Sequence, residues 1–387
     1  MRTGSRPLLG AIAVVAVAAA GALGCSTMTG DRGVVRTYYI AADEVEWDFA
    51  PSGRNLISGA DWDSIQRPFV EPGPQHVGLR ARKALYREYT DSTFATLKPR
   101  PSEWEHLGYL GPLIRAVVGD TIRVVFRNNT SFPSSVHPHG VFYAKDSEGA
   151  PYQDGTDGAM KADDGVPTGG THVYTWPVPE RAGPTEHEGS SAFWMYHSHT
   201  NEVADVNAGL MGPMIITRRG SADAEGRPTD VDREVVITFA EMDENSSRYL
   251  EHNIRTYATD PRHLRIVNVF GVPVVGPEAQ YNFKETLNGF VFGNLPMPRM
   301  EVGDRVRWYI MGTTNFEMHA PHWHGNTAVA GHMRTDVLSV LPMQMVVADM
   351  VPDNPGEWLF HCHVGNHLRM GMEGKYVVVP RGQLAAR

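Results

Sequence analysis

Hydrophobic and polar positions alternate in short runs along most of the chain. Val35-Arg36-Thr37-Tyr38-Tyr39-Ile40 opens the pattern, and Ile122-Arg123-Val124-Val125-Phe126 repeats it after the turn signal Gly119-Asp120. Side chains of a strand point alternately to its two faces, so such runs predict strands buried on one side. Residues 50–80 are rich in Pro, Gly and polar side chains and read as loop. The same order then returns. Gly303-Asp304 precedes Val306-Arg307-Trp308-Tyr309-Ile310, and Trp194-Met195-Tyr196-His197-Ser198-His199 matches Trp358-Leu359-Phe360-His361-Cys362-His363. One domain type therefore occurs twice. No long helical periodicity interrupts the pattern. The prediction is an all-β chain of two β-sandwich domains, at about 34–219 and 232–382. Residues 218–233 are polar, contain Gly and Pro, and make the natural linker.

The N-terminus departs from this alternation. Arg2 and Arg6 precede an apolar run from Leu8 to Leu23 that ends at Gly24-Cys25. Residues 1–25 read as a signal peptide of the lipoprotein type, too short for a comfortable membrane span. The expectation is an exported protein on the extracellular or periplasmic side, tethered to the membrane by lipid on Cys25.

Composition narrows the class. Hydrophobic residues make up 42% and charged residues 20%, the balance of a globular chain. The formal charge is -9, and without residues 1–24 it is -11, from 33 basic against 44 acidic residues. That balance argues against nucleic acid as a partner. The only cysteines are Cys25 and Cys362, so no intrachain disulfide is expected even for an exported protein.

The candidate chemistry centres on Cys362. His361 and His363 flank it, His367 follows five residues on and Met372 ten residues on. Two imidazoles, a thiolate and a weak axial thioether are what a blue copper site needs. Cys362, His367 and Met372 supply three of these groups. Strand alternation turns His361 and His363 to the opposite face, where they are free to bind other metal ions. Three more histidine groups occur: His137-Pro138-His139-Gly140, His197-Ser198-His199, and His319-Ala320-Pro321-His322-Trp323-His324-Gly325.

On these four motifs and their order the chain resembles the multicopper oxidases over nearly everything after residue 34. Within that family it is similar to the ceruloplasmin, hephaestin and coagulation-factor type of domain. The likeness runs through His137 to Tyr143, Asp243-Glu244-Asn245 to Asn253-Ile254, Asn288 to Gly293, and Asn354-Pro355-Gly356-Glu357-Trp358. The resemblance implies cupredoxin-like Greek-key sandwiches and about four coppers per chain: one type 1, one type 2 and two type 3. It assigns His319, Cys362, His367 and Met372 to type 1, and His137 and His322 to type 2. His139, His197, His199, His324, His361 and His363 fall to the type 3 pair. Where the second half carries type 1 ligands, the first half has Ser134, Ser198, Val203 and Ala208, so it should hold no blue copper.

Two-domain members of the family look like homotrimers, with the three-copper cluster between one subunit's first domain and the next subunit's second. Head-to-tail contacts that close give such a ring. The implied electron path runs from Cys362 into His361 and His363, and ends in reduction of dioxygen to water. Tyr143 resembles a tyrosine near the type 2 copper of small laccases, and Asp146 is the candidate proton donor. Lys145, Asp163 and Asp164, in an acidic loop with Asp154 and Asp157, form a candidate calcium site. His76, His106, His172, His187, His252, His263 and His332 are left as surface or loop residues.

For the electron donor, the preferred expectation is a laccase-like range of phenols, aromatic amines or metal ions. The alternative is a ferroxidase or cuprous oxidase. Asn366, where ferroxidases carry an acid, speaks against it. Glu285, near the same rim, and Met343, Met345 and Met370 speak for a metal ion. A copper nitrite reductase needs only three histidines at its second copper, and a non-catalytic copper-binding protein would have lost some of the eight.

Overall fold

A computed structural model gives the fold of residues 33–261, 266–269, 272–313 and 317–384, with side chains described outside 266–277. The expected signal peptide and Cys25 lie outside the described residues.

Eight strands precede residue 218: β1 (Val35–Asp48), β2 (Arg80–Tyr89), β3 (Ile114–Val117), β4 (Thr121–Asn128), β5 (His137–Pro138), β6 (Thr171–Pro177), β7 (Ser191–His197) and β8 (Met211–Thr217). After it come β9 (Arg233–Asp243), β10 (Ile266–Val269), β11 (Val272–Val275), β12 (Phe283–Leu287), β13 (Arg299–Glu301), β14 (Val306–Thr313) and β15 (Pro321–Trp323). The remainder are β16 (Ala328–Ala330), β17 (Met333–Thr335), β18 (Met345–Met350), β19 (Gly356–Cys362) and β20 (Glu373–Val379). Helices are short: α1 (Arg67–Val70), α2 (Glu202–Ala208), α3 (Leu250–Tyr257) and α4 (Gly365–Arg369). Among the described residues no helix is long and apolar enough to cross a membrane.

The strand orders are β2-β1-β4-β6 and β3-β8-β7-β5 in the first half, and β12-β9-β14-β18-β16-β17 and β13-β20-β19-β15 in the second. β10 and β11 pair as a separate ribbon. The halves repeat one another: β1 runs parallel to β4 as β9 does to β14, and β3 parallel to β8 as β13 does to β20. Neighbours that are distant in sequence are the mark of crossing Greek-key connections.

Each half buries its own core between its sheets. Ile40, Val124, Phe126, Tyr174, Trp176 and Ile216 fill the first; Ile237, Trp308, Trp323, Phe360, Cys362 and Met372 fill the second. A third cluster joins the halves, with Leu107, Tyr109, Phe193 and Met211 packed against Val236, Val291, Tyr309 and Met311. Burying each such side chain stabilises by roughly 1.5–3 kcal/mol. Within that seam the Arg115 guanidinium donates to both Glu234 carboxylate oxygens, at 3.0 and 2.7 Å, and Tyr309 Oη donates to Glu234 at 3.1 Å. Asn288, held at φ 49° in the turn after β12, donates to the carbonyls of His106 and Val236 and accepts from Thr238 N–H. Residues from Gly33 onward form one compact unit.

Candidate metal centres

The pairing of the strands assembles the histidines. β5 and β7 set His137 directly across from His197, and β15 and β19 set His322 across from His361. The glycine that ends each His-X-His-Gly turn lets this happen. Gly140 and Gly325 sit at φ 79° and 74°, and a Cβ on either would stand 2.4 or 2.3 Å from the ring of Trp194 or Trp358. Only glycine fits a left-handed turn pressed against an indole.

In the first half His139 Nε2 and His197 Nε2 face each other at 3.2 Å, with the His137 and His199 rings 5.1 Å apart beside them. In the second half His324 Nε2 and His361 Nε2 stand at 3.1 Å, and the His322 and His363 rings at 5.2 Å. Imidazole nitrogens turned toward one another at this distance suit a metal between them. Burial and neighbouring imidazoles push His139 down to about 4 and His197 well below the usual histidine range. Burial is also the main cause of the depression at His137, His324 and His361. Neutral imidazole is the ligating form. The other ring nitrogen of each type 2 candidate meets a backbone carbonyl: His137 Nδ1 meets Glu148 O at 2.6 Å, and His322 Nδ1 meets Asp336 O at 2.9 Å. Such contacts fix ring orientation. All ring contacts given among these eight histidines stay within one half.

On the inner face of β19, Cys362, His319 and His367 offer ligand atoms that all lie within 4.8 Å of one another. Cys362 Sγ is 3.5 Å from His367 Nδ1 and accepts the Ala320 N–H at 3.3 Å. Met372 is fully buried in the same core, and its carbonyl accepts the Cys362 N–H at 3.0 Å. Both ring nitrogens of buried His319 lack a hydrogen-bond partner. An orphaned imidazole is costly in a core unless something binds it, and a soft N/S donor set fits copper. Burial pushes His319 down to about 3 and the Cys362 thiol up, so metal would have to displace the thiol proton. In the first half Ser134 and Ser198 are fully buried, and Ser198 Oγ donates to Asp205 at 2.7 Å. No sulfur ligand stands there.

The remaining sequence candidates are distributed unevenly. The Tyr143 ring lies 5.7 Å from that of His137. The Asp146 carbonyl meets His172 Nε2 at 2.7 Å and its carboxylate lies by Ser147 Oγ at 3.4 Å. Two other acids border the cluster: Glu202 Oε2 lies 3.4 Å from His199 Nε2, and Glu148, whose carbonyl meets His137, has a carboxylate that accepts from Tyr152 Oη and pairs with Lys145. Of the calcium set, Lys145 also reaches Asp154 at 3.3 Å, and Asp164 pairs with Lys161 at 3.2 Å. Asp163 is buried, accepts Gly149 N–H through Oδ2 at 2.7 Å and leaves Oδ1 without a partner. His76 and His106 are not surface residues: both are buried, and His106 Nε2 accepts the Val236 N–H. His263 lies outside the described residues.

Sequence reasoning missed two acids at His367. Glu241 and Glu285 are cross-strand partners on β9 and β12, and Glu285 Oε2 is 4.0 Å from His367 Nδ1. Glu317 Oε2 meets His367 Nε2 at 2.7 Å. The Glu241, Glu317 and His367 ligand atoms lie within 4.8 Å of one another. Beyond that ion-pair distance, buried Glu285 Oε2 has no hydrogen-bond partner. Like charges directly opposite destabilise a sheet, so the pair is poised to accept a cation. The proximity of Glu317 to His319 in sequence was a usable signal. Glu241 carried none, because its pairing with β12 spans more than forty residues.

Cupredoxin-like halves, a Cys/His/Met centre in the second and matched histidine sets in both define a multicopper oxidase, and the chain belongs to that family. Two family models, each described as Multicopper oxidase, match residues 106–221 and 273–382. The chain is 42% identical to human Ferroxidase HEPHL1 over 361 residues, covering 92% of this chain and 30% of that protein. It is 41% identical to Hephaestin of Rattus norvegicus, covering 92% and 30%, and 35% identical to human Ceruloplasmin, covering 89% and 31%. It thus spans about a third of the length of these relatives. A solved multicopper oxidase superposes with TM-score 0.54 at 19% identity, over 90% of this chain and 93% of that one. The Blue Copper Oxidase from Nitrosomonas europaea superposes with TM-score 0.51 at 17% identity, over 90% and 86%. These two share the fold.

Proposed function

We propose that the protein oxidises a small divalent metal ion, ferrous iron foremost, and passes the electrons to dioxygen. The sequence reading put phenols and aromatic amines first. The observation that changes the order is the convergence of Glu241, Glu285 and Glu317 on His367. Three converging carboxylates suit a hard cation, whereas a phenol O–H needs only one hydrogen-bond acceptor. The printed names of the relatives include ferroxidases, which agrees with this preference.

His319, Cys362, His367 and Met372 would hold the type 1 copper, and the eight remaining motif histidines the type 2 and type 3 ions. Copper, when bound, supplies one-electron redox chemistry at the first site and oxygen reduction at the others. The chain's own part begins at Glu317, which accepts the His367 N–H and brings the donor ion beside that ring. Ala320 N–H on Cys362 Sγ adjusts the affinity of the sulfur for its metal. Glu148 and Asp336 hold His137 and His322 in orientation through their carbonyls. Tyr143 stands at the first histidine set, and the unpartnered Asp163 Oδ1 supports the calcium reading.

The histidine sets are half-sites. We infer that they complete one another between copies, head to tail, in a homotrimer. Support comes from ring contacts confined to each half and from the apolar seam that fixes the halves. Export and a lipid tether on Cys25 belong to the same proposal. The test is oxygen uptake with ferrous ion, cuprous ion and a phenol in parallel, on protein whose visible spectrum and copper count are known. An intense blue band with about four coppers per chain and preference for ferrous ion is expected. Preference for the phenol would overturn the substrate assignment, and about one or two coppers per chain the oxidase itself.

A further inference from the structure

The motif Asn288-Gly289-Phe290-Val291-Phe292-Gly293 ends in two left-handed residues, with φ 52° at Phe292 and 76° at Gly293. A bulky side chain rarely tolerates that backbone, and it persists only where the surroundings over-determine it. Here the turn aims two successive N–H groups at one segment. Phe292 N–H donates to Gly371 O at 2.8 Å, and Gly293 N–H donates to Glu373 O at 2.9 Å. Between those two carbonyls lies Met372. The buried Phe292 ring covers the same segment: Gly371 sits at φ 108°, and a Cβ there would stand 2.9 Å from that ring. The inner side of the segment is tied to the other ligand candidates. Met372 N–H donates to His367 O at 2.9 Å, and Met372 O accepts the Cys362 N–H at 3.0 Å.

Phe292 is in turn held by the first half of the chain. Its carbonyl accepts the Leu56 N–H at 3.0 Å, and its ring meets the Trp62 ring at 5.2 Å and 58°. A Cβ on Gly293 would stand 2.8 Å from Ile57 Cδ1. Leu56, Ile57 and Trp62 all belong to the Pro- and Gly-rich stretch between β1 and β2. We propose that Phe292 is a positioning residue for the axial thioether: its left-handed turn, locked by this loop of the first half, sets where Met372 stands relative to His319, Cys362 and His367. The inference rests on the type 1 assignment of those four residues. It adds that the first half, which has no type 1 ligands of its own, tunes the reduction potential of the site in the second. The axial ligand tunes the potential of a blue copper site, and groups behind the ligands orient them. A donor atom stabilises the oxidised, more electron-poor ion more than the reduced one, so a looser Met372 raises the potential.

The test is a redox titration of the full copper-loaded protein, followed at the blue band against a one-electron mediator. Phe292→Gly keeps the left-handed backbone and both N–H donors and removes only the ring. Trp62→Ala removes the support of that ring from a half-buried position in the first half, and Trp62→Phe keeps an aromatic ring there. Phe292→Gly should raise the potential by a roughly tenfold change in the equilibrium constant, about 59 mV for one electron. Trp62→Ala should move it in the same direction, and Trp62→Phe should stay with the wild type. The copper hyperfine splitting in electron paramagnetic resonance should change in the first two and not in the third. A role in packing alone would lower the unfolding midpoint of Phe292→Gly and leave its potential in place, and that result would overturn the inference. If Phe292→Gly loses the fold, seen as a changed far-ultraviolet spectrum, Trp62→Ala decides, and an unchanged potential there overturns the inference. A wild type without a blue band would overturn the type 1 assignment and this inference with it. A blue wild type whose potential is shared by every variant would overturn the inference alone.

Discussion

Replacing Glu241 by Gln separates the cost of the acidic trio from its use. Glu241 lies directly across from Glu285, and Glu317 approaches the same His367. Burial first pushes the Glu241 carboxyl from 4.5 up to about 7, opposed by a hydrogen bond with Glu285 and helped by the Glu317 and Asp243 charges. Burial and Glu241 push Glu285 up as well. At 1.36 kcal/mol for each pH unit, the Glu241 shift corresponds to about 3 kcal/mol. The sign follows from the folded value lying above the unfolded one. The penalty is absent below about pH 4.5, grows as Glu241 would ionise in the unfolded chain, and is complete above about pH 7. The metal-free Glu241→Gln variant should therefore be more stable than wild type by up to about 3 kcal/mol near pH 8, and by little near pH 4.5. Denaturant unfolding at the two pH values measures this. In the copper-loaded protein the same change removes a cation ligand, so KM for ferrous ion should rise while turnover of a phenol stays level. A variant no more stable than wild type near pH 8 would refute the cost of burying the Glu241 charge. An unchanged ferrous KM would refute the binding role.

Three further outcomes are expected. Cys362→Ser should remove the blue band and oxygen uptake while far-ultraviolet circular dichroism stays unchanged; turnover surviving the change would place the electron entry elsewhere. Mixing His139→Ala with His324→Ala chains during refolding should restore part of the oxygen uptake that neither variant has alone, because each supplies the half-site the other lacks; no recovery would argue for a cluster within one chain. Glu234→Gln leaves the Arg115 guanidinium buried without its bidentate partner, and should cost about 3–5 kcal/mol in denaturant unfolding. A loss under about 1 kcal/mol would mean that water reaches the seam.

Much of the architecture was legible because one pattern occurs twice. The repeat of the Gly-Asp turn, the alternating strand and the His-X-His-Gly motif matched the stretch that holds β4 and β5 to the stretch that holds β14 and β15. Motif ligands close in sequence, such as Cys362, His367 and Met372, were legible because one strand, a short helix and the next strand bring them together. What resisted reading depends on register between distant strands. Glu285 was suspected near the rim, but its partner Glu241 sits opposite only because β12 pairs with β9 in one register, and a slip of one residue would turn both to the other face. Asp146 and Glu148 show the same limit at short range. They are two residues apart, and a single short turn (Lys145–Ser147) decides that Glu148 meets His137. His106 and His76 looked like loop residues because the loops that carry them are polar, yet those loops fold inward against the second half.

The seam between the halves bears on function as much as on stability. Domains within a chain are expected to move unless their interface is large and apolar. Here Tyr109, Phe193, Tyr309 and Met311 form one continuous cluster, Arg115 and Glu234 are paired inside it, and Asn288 ties the β12 turn to His106 and Val236. Hinging the first half to carry His137, His139, His197 and His199 onto His322, His324, His361 and His363 would expose that cluster and leave Arg115 unpaired. Opening a buried ion pair alone costs several kcal/mol, comparable with the whole stability of a typical domain. In the proposed homotrimer a second copy would meet that need with the seam closed. On the proposed assembly, then, each half-site is completed by the next chain while the seam stays closed.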